Sequence, residues 1–373
     1  MPSKKGIYLF TLIGLLLGFT LDALLRHDCE TLFYYAIISL FCLLYALAYD
    51  EKNPLRLIAS SFLVALFLSL PLLTMKSDIQ PAYIEHWFIF LCAFPVFTYV
   101  AHSFHYAYHH DNTWNIKYSS LFVAVWNTIP LLFVASVFSG LANLLILLGA
   151  LIFKTVGSDY LWELYFHNNH FMLITNTVLF FIGLGVGQQN IKVINSLRFL
   201  LLRMMYYLFP VLALISIVYF ILYLVHGISS GSEYINPLFI LIPLVSLGIL
   251  FFNAFYQDGT PEETGAPFWV KLSLKIYRIV LLLLTLMMSY RMFYEHSWDV
   301  NIAVYVLTII LFSFIYAITA FFSEDQEKQW IQKGNICIAL FFIIALFLLN
   351  LPYKPIIFDV GTQTTTSQVH ITY

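Results

Sequence analysis

The run Tyr118–Phe153, YSSLFVAVWNTIPLLFVASVFSGLANLLILLGALIF, holds 36 residues without a single Asp, Glu, Lys or Arg. As a straight helix rising about 1.5 Å per residue it would measure about 54 Å, against a bilayer core about 30 Å thick. Such a segment belongs in lipid. It is either one span with a long continuation or two spans joined at Ser139-Gly140, and the two readings place every later loop on opposite sides.

Other apolar windows lie near 6–25, 32–49, 57–75, 84–104, 171–187, 199–225, 237–257, 272–290, 300–322 and 334–350. With the long run they make eleven spans, or twelve if it crosses twice. The fold class expected is an all-α polytopic transmembrane bundle. Composition agrees, since 61% of the 373 residues are hydrophobic and 10% are charged, against about 25% charged in an average soluble domain. A water-soluble chain of this size has no interior large enough for that much apolar side chain. The chain divides into an N-terminal four-helix membrane segment, 1–117, a main membrane bundle, 118–350, and a polar tail, 351–373, whose end Val369-His370-Ile371-Thr372-Tyr373 is β-prone.

The distribution of basic residues separates the two readings of the long run. With one crossing, the side of Met1 holds Lys4, Lys5, Lys52, Arg56, Lys117, Lys192, Arg198, Arg203, Lys271, Lys275, Arg278, Lys328 and Lys333. The far side holds Arg26, Lys76, Lys154, Arg291 and Lys354, so the division is 13 to 5 of the 18. With two crossings it becomes 8 to 10, which is no bias. One crossing is therefore expected, with the N-terminus inside and the C-terminus outside. Leu141–Phe153 then reads as a re-entrant or buried continuation, admissible only if protein covers it.

The first span follows Lys4-Lys5 as a signal peptide would, but Leu21-Asp22-Ala23-Leu24 offers no small-residue cleavage site. Net charge is -2 and no Lys/Arg-rich block is present, which excludes nucleic acid as a partner. Cys29, Cys42, Cys92 and Cys337 are scattered singly and read as small buried hydrophobes. No cofactor is expected.

Three constellations could carry chemistry. His102, His105 and His109 recur at three and four residues, which stacks their imidazoles on one helix face in a pattern that suits zinc or iron. His105-x-x-x-His109-His110 resembles one histidine box of membrane di-iron desaturases and hydroxylases. That chemistry needs further boxes on the same side, and His167-Asn168-Asn169-His170 falls on the other. The favoured reading of the cluster is an interfacial helix end where half-polar rings sit at the membrane surface.

The second constellation surrounds an acidic loop, Asp258, Glu262 and Glu263, followed by Lys271, Lys275 and Arg278 on one helix face. Arg278 would sit deepest and need an anion, from a neighbouring carboxylate or from a lipid phosphate. With Asn253, Gln257, Asp258, Arg291 and Tyr294 these cations make a candidate polar or anion site. The third is a scatter of polar groups inside spans, Asn127, Asn143, Asn176, Asn253 and Gln257, whose expected use is interhelical hydrogen bonding. Gly183-x-Gly185-x-Gly187 follows no strand and reads as close helix packing. Prolines interrupt five spans, at Pro71, Pro95, Pro130, Pro210 and Pro243.

Asn253-Ala254-Phe255-Tyr256-Gln257-Asp258-Gly259, then Tyr290-Arg291-Met292-Phe293-Tyr294-Glu295-His296-Ser297-Trp298, then the tail from Pro352-Tyr353 to Ser367-Gln368 resemble a bacterial multi-pass family. It is the domain-of-unknown-function family four-one-five-three. Trp126, the Leu-rich run after it and Gly157 fit the same pattern, and Glu295-His296 stand where that family tends to carry Gly. The resemblance covers roughly Tyr118 to the C-terminus. It implies a bacterial inner-membrane protein with membrane lipids as its surroundings, and no activity.

Three roles follow from these observations. The first is a transporter or permease-like bundle for a small solute. The second is an enzyme or handling protein for anionic lipids or lipid-linked intermediates. The third is a non-catalytic membrane partner or sensor.

Overall fold

Apolar runs of twenty or so residues satisfy their backbone polar groups in lipid only by coiling into helices, and the computed structural model shows that outcome. It describes residues 5–50, 53–74, 84–113, 116–226, 237–256, 268–295 and 300–351. The elements are α1 (Lys5–Arg26), α2 (Leu32–Leu47), α3 (Pro54–Ser69), α4 (Ile84–Asp111), α5 (Tyr118–Thr155), α6 (Tyr160–Trp162), α7 (Asn169–Gln189), α8 (Ile191–His226), α9 (Leu238–Tyr256), α10 (Phe268–Glu295), α11 (Val300–Thr319) and α12 (Glu324–Leu349). A 3-10 turn over Leu70–Thr74 extends α3, and a π turn over Glu163–His167 follows α6. Ten helices among the described residues are long and apolar enough to cross a membrane. The chain is an all-α, multi-pass membrane protein.

Two expectations need correction. The second span is a helix of only 16 residues, about 24 Å, because the chain leaves the helix at Ala48 before reaching Asp50. The long run is a single unbroken helix through Ser139-Gly140, 38 residues in all, which agrees with one crossing. Its continuation is not covered. α6 packs one side of it, where Leu161 lies 3.5 Å from the position of a Cβ on Gly149. Leu141, Leu144, Leu145 and Leu148 are 58%, 61%, 69% and 54% exposed.

Small residues set how closely the helices approach. A Cβ on Gly183 of α7 would stand 2.8 Å from the Ala135 Cα of α5, and one on Gly187 would stand 2.5 Å from Leu131 Cδ1. These glycines serve helix packing, as their position in the span indicated. One core joins α1, α2, α5 and α7 through Phe10, Leu131, Ala135, Phe181 and Leu184. A second joins α8 to α12 through Phe209, Leu241, Tyr277, Leu281, Tyr316 and Ile331. A third runs across residue 118, packing Leu44, Leu68 and Phe97 against Val304, Phe342 and Leu346.

The polar groups inside spans make interhelical bonds. Arg198 Nη1 donates to Asn127 Oδ1 at 3.1 Å, and Asn143 Nδ2 donates to Asn176 Oδ1 at 2.8 Å. The segment after α5 is anchored inward by Tyr165, which is buried and donates to Asn143. Asp22 of α1 is also buried, held by His170 and by Arg26 at 2.9 Å. None of the four cysteines is buried, and Cys92 and Cys337 are exposed on α4 and α12, so the expectation of small core residues fails. The β-prone end of the chain lies outside the described residues.

Candidate functional site

α4 continues seven residues beyond its expected end at Phe104. It closes at Asp111, whose carboxylate accepts from Ser120 Oγ at 2.6 Å and from the Lys117 amide at 3.1 Å. That extra length carries the histidines into the bundle. His102, His105 and His109 are 2%, 3% and 8% exposed, so the cluster is packed among neighbouring helices and not displayed on the surface of the bundle. Successive rings lie 6.4 Å apart by centroid, and those of His105 and His109 are within 9° of parallel.

α3 faces the middle ring, with Ser60 Oγ 3.0 Å and Ser61 Oγ 3.5 Å from His105 Nε2. Among the described residues the other ring nitrogens have no hydrogen-bond partner: both of His102, Nδ1 of His105 and both of His109. A buried polar atom without a partner costs about 1–3 kcal/mol, so five on one helix face need a reason to be there.

Each end of the histidine file meets a cavity. His102 lines one of about 580 Å³ between α2, α4 and α5, whose other walls include Leu40, Leu44, Phe94, Pro95, Thr128 and Leu132. Val96 and Ile129 also line it and are 47% and 39% exposed, so it opens sideways between α4 and α5. Thr98, on its wall, has a buried hydroxyl without a partner among the described residues. His109 lines a second cavity of about 240 Å³ with Ala48, Tyr49, Asp50, Tyr106 and His110.

These rings do not make a metal centre. Among the described residues no group of three or more His, Cys, Asp or Glu is placed to hold a metal ion. Rings strung along a helix at 6.4 Å cannot bring three nitrogens within about 2.1 Å of one point. The other histidine pair is engaged elsewhere, His170 with Asp22 and His167 with Glu163 at 3.4 Å.

The anion site read from sequence separates along α10. Arg278 points inward and is 2% exposed, whereas Lys275 is exposed; at 100° per residue a step of three turns the side chain by about 60°, which decides between core and surface. Lys271 and Tyr294 are helical, with side chains outside the described set, and Gln257 and Asp258 lie outside it altogether. Arg291 stands thirteen residues on, about 20 Å along the helix, donating from Nε to Tyr223 Oη at 3.1 Å. Arg278 and Arg291 therefore belong to different places.

The anion that Arg278 needs is Glu327 of α12. Arg278 Nη2 donates to Glu327 Oε1, which also accepts from Tyr256 Oη at 2.5 Å. The guanidinium lies over Phe252 at 5.0 Å and Tyr256 at 4.8 Å. Phe252 in turn stacks on Tyr316 with centroids 4.0 Å apart. From there a closed network continues: Asn253 Nδ2 donates to Tyr316 Oη at 2.8 Å, and Tyr316 Oη to Asn335 Oδ1 at 3.0 Å. Asn335 Nδ2 donates to Asn253 Oδ1 and to Tyr118 Oη, each at 2.8 Å. Five helices, α5 and α9 to α12, meet in this network.

Of the predicted anion-site residues it gathers Asn253 and Arg278. The partners the sequence reading missed are Glu327, Tyr256, Tyr316, Asn335 and Tyr118. No family model matches the chain, and comparison with curated proteins and with solved structures returns no match. Function is therefore argued from the geometry.

Proposed function

We propose that this protein is a transporter-like carrier of an amphiphilic, lipid-like molecule, with the cavity between α2, α4 and α5 as its binding site. One observation carries the reading. A space of about 580 Å³, walled almost wholly by apolar side chains and open sideways at Val96 and Ile129, ends on the buried, unpartnered ring of His102. An acyl chain suits the walls, and a neutral imidazole offers one donor and one acceptor to a polar head. Pro95 lines the cavity, and Pro130 follows Ile129 on the facing helix. Each removes a backbone hydrogen bond and lets its helix bend where a cargo would enter.

With the short α2 counted as a crossing beside the ten longer helices, the 13 to 5 division of basic residues supports a cytoplasmic N-terminus and a periplasmic C-terminus. The likeness to family four-one-five-three supports the bacterial inner membrane.

A second reading, handling of an anionic lipid or lipid-linked intermediate at Arg278, draws on Nε and Nη1 of that residue, which have no partner among the described residues. Vesicles of phosphatidylethanolamine and phosphatidylglycerol containing the full chain separate the two. The expected result is accelerated transbilayer exchange of fluorescently labelled phosphatidylglycerol, abolished by Ile129→Trp at the cavity mouth. Exchange no faster than in protein-free vesicles, or indifferent to that substitution, overturns the first reading. Loss with Arg278→Lys but not with Ile129→Trp moves the conclusion to the second.

A further inference from the structure

The three imidazoles of α4 form a line whose two ends open on different chambers, and among the described residues five of their six ring nitrogens have no hydrogen-bond partner. His102 ends on the apolar cavity, and His109 ends on the smaller chamber with Asp50, Tyr49 and His110. Between them His105 is held to α3 by Ser60. We propose that His102, His105 and His109 are a proton path joining the two chambers.

Intramembrane ionisable groups are rare, and chains of Asp, Glu and His are the usual material of proton relays. A neutral imidazole accepts a proton on one nitrogen and releases another from the opposite one. Each hop breaks one N–H bond and forms one, and the ring is left as its other tautomer, reset by rotation or by a return transfer. Centroids 6.4 Å apart put the rings beyond a direct N–H···N bond of about 3 Å, so each gap requires a bridging hydroxyl or water. Ser60 and Ser61 supply hydroxyls beside the middle ring.

The groups facing this line leave its interior uncharged and its lower end polar. Arg56 of α3 acts on His109, as does Asp50, while its guanidinium lies 4.5 Å over the Tyr108 ring. Arg198 of α8 reaches Tyr106, and α5 contributes Thr128 beside His102. α11 and α12 face α4 with Val304, Phe342 and Ile343, and the Tyr305 hydroxyl is committed to the Ala93 carbonyl at 3.1 Å. Among the described residues that line the two chambers, the carboxylate is at the Asp50 end.

A cargo head on His102 would occupy the last station of the path and couple its own movement to the proton's. That coupling rests on the carrier reading given above, whereas the path itself does not.

The test uses the full chain in vesicles of phosphatidylethanolamine and phosphatidylglycerol with a pH-sensitive dye trapped inside. A potassium gradient and valinomycin drive protons inward, with and without a gradient of labelled phosphatidylglycerol. The wild type is expected to acidify the lumen faster than protein-free vesicles. His105→Ala should lower that rate by on the order of a hundredfold in protein whose thermal unfolding midpoint shows that it is folded. His109→Gln, which keeps a polar side chain of similar reach, should lower it as well. Wild-type flux no greater than in protein-free vesicles under both conditions overturns the path, as does unchanged flux in folded His105→Ala and His109→Gln. Histidine-dependent proton flux without lipid exchange would sink the carrier reading and leave the path standing.

Discussion

Two buried polar assemblies in this bundle are built on opposite principles. Around Arg278 every neighbour is enlisted: a carboxylate, two aromatic faces, and beyond them a ring of amides and phenols on five helices. Along α4 three imidazoles are buried as deeply, yet five of their six nitrogens have no partner among the described residues, and empty space adjoins both ends. The Arg278 network leaves Nε and Nη1 without a hydrogen-bond partner among the described residues, on a guanidinium that lies over Phe252 and Tyr256. Linked networks of this kind fix how helices meet, whereas unsatisfied groups beside a cavity cost stability and are kept for something else. The first assembly reads as architecture and the second as working chemistry.

That contrast predicts opposite responses to mutation. The largest effect is expected for Glu327→Leu, which strands the Arg278 cation in the interior at a cost of about 3–5 kcal/mol. Thermal unfolding of the purified protein in detergent should show it as a large drop in midpoint. Adding Arg278→Met should recover most of the loss, because an apolar pair in place of both charges is close to neutral. A double variant no better than the single one would mean that the arginine does more than hold helices together.

A smaller loss, about 1–2 kcal/mol, is expected for Asn335→Leu, which removes bonds to Tyr118, Asn253 and Tyr316 together, given about 0.6 kcal/mol for an average interhelical bond. The smallest is expected for His102→Leu. Removing a buried imidazole without partners should leave the unfolding midpoint within about 1 kcal/mol of wild type, or raise it. A loss as large as that of Glu327→Leu would put the histidines in the architectural class and erase the distinction.

The sequence was legible where the physics is local. Run length and the absence of charge marked the helices, and spacing at three and four placed the histidines on one face of α4. Burial of that face was not legible, because it depends on α2, α3 and α5 arriving around it. The partner of Arg278 was within reach. The buried residues Ile331, Ile338, Phe342 and Leu346 mark one stripe of α12, and stepping that stripe back one turn from Ile331 lands on Glu327. The polar start of α12 disguised this, since Glu324, Asp325, Glu327 and Lys328 together look like a solvated helix end. The cavity had no signature in the chain, because a void is set by the distance between three helices and not by any one of them.

α5 is 38 residues long, about 57 Å end to end, and most of its last four turns are oily and uncovered. Leaning over cannot absorb such a rod, since fitting it within a slab about 30 Å deep would take an inclination of roughly 60°, beyond the span of about 0–40° that membrane helices adopt. Even inclined at about 40° it would rise about 44 Å, so its oily end reaches past the hydrocarbon slab into the headgroup region, and the lipid on the α5 flank meets a taller apolar wall than a helix of about 20 residues presents.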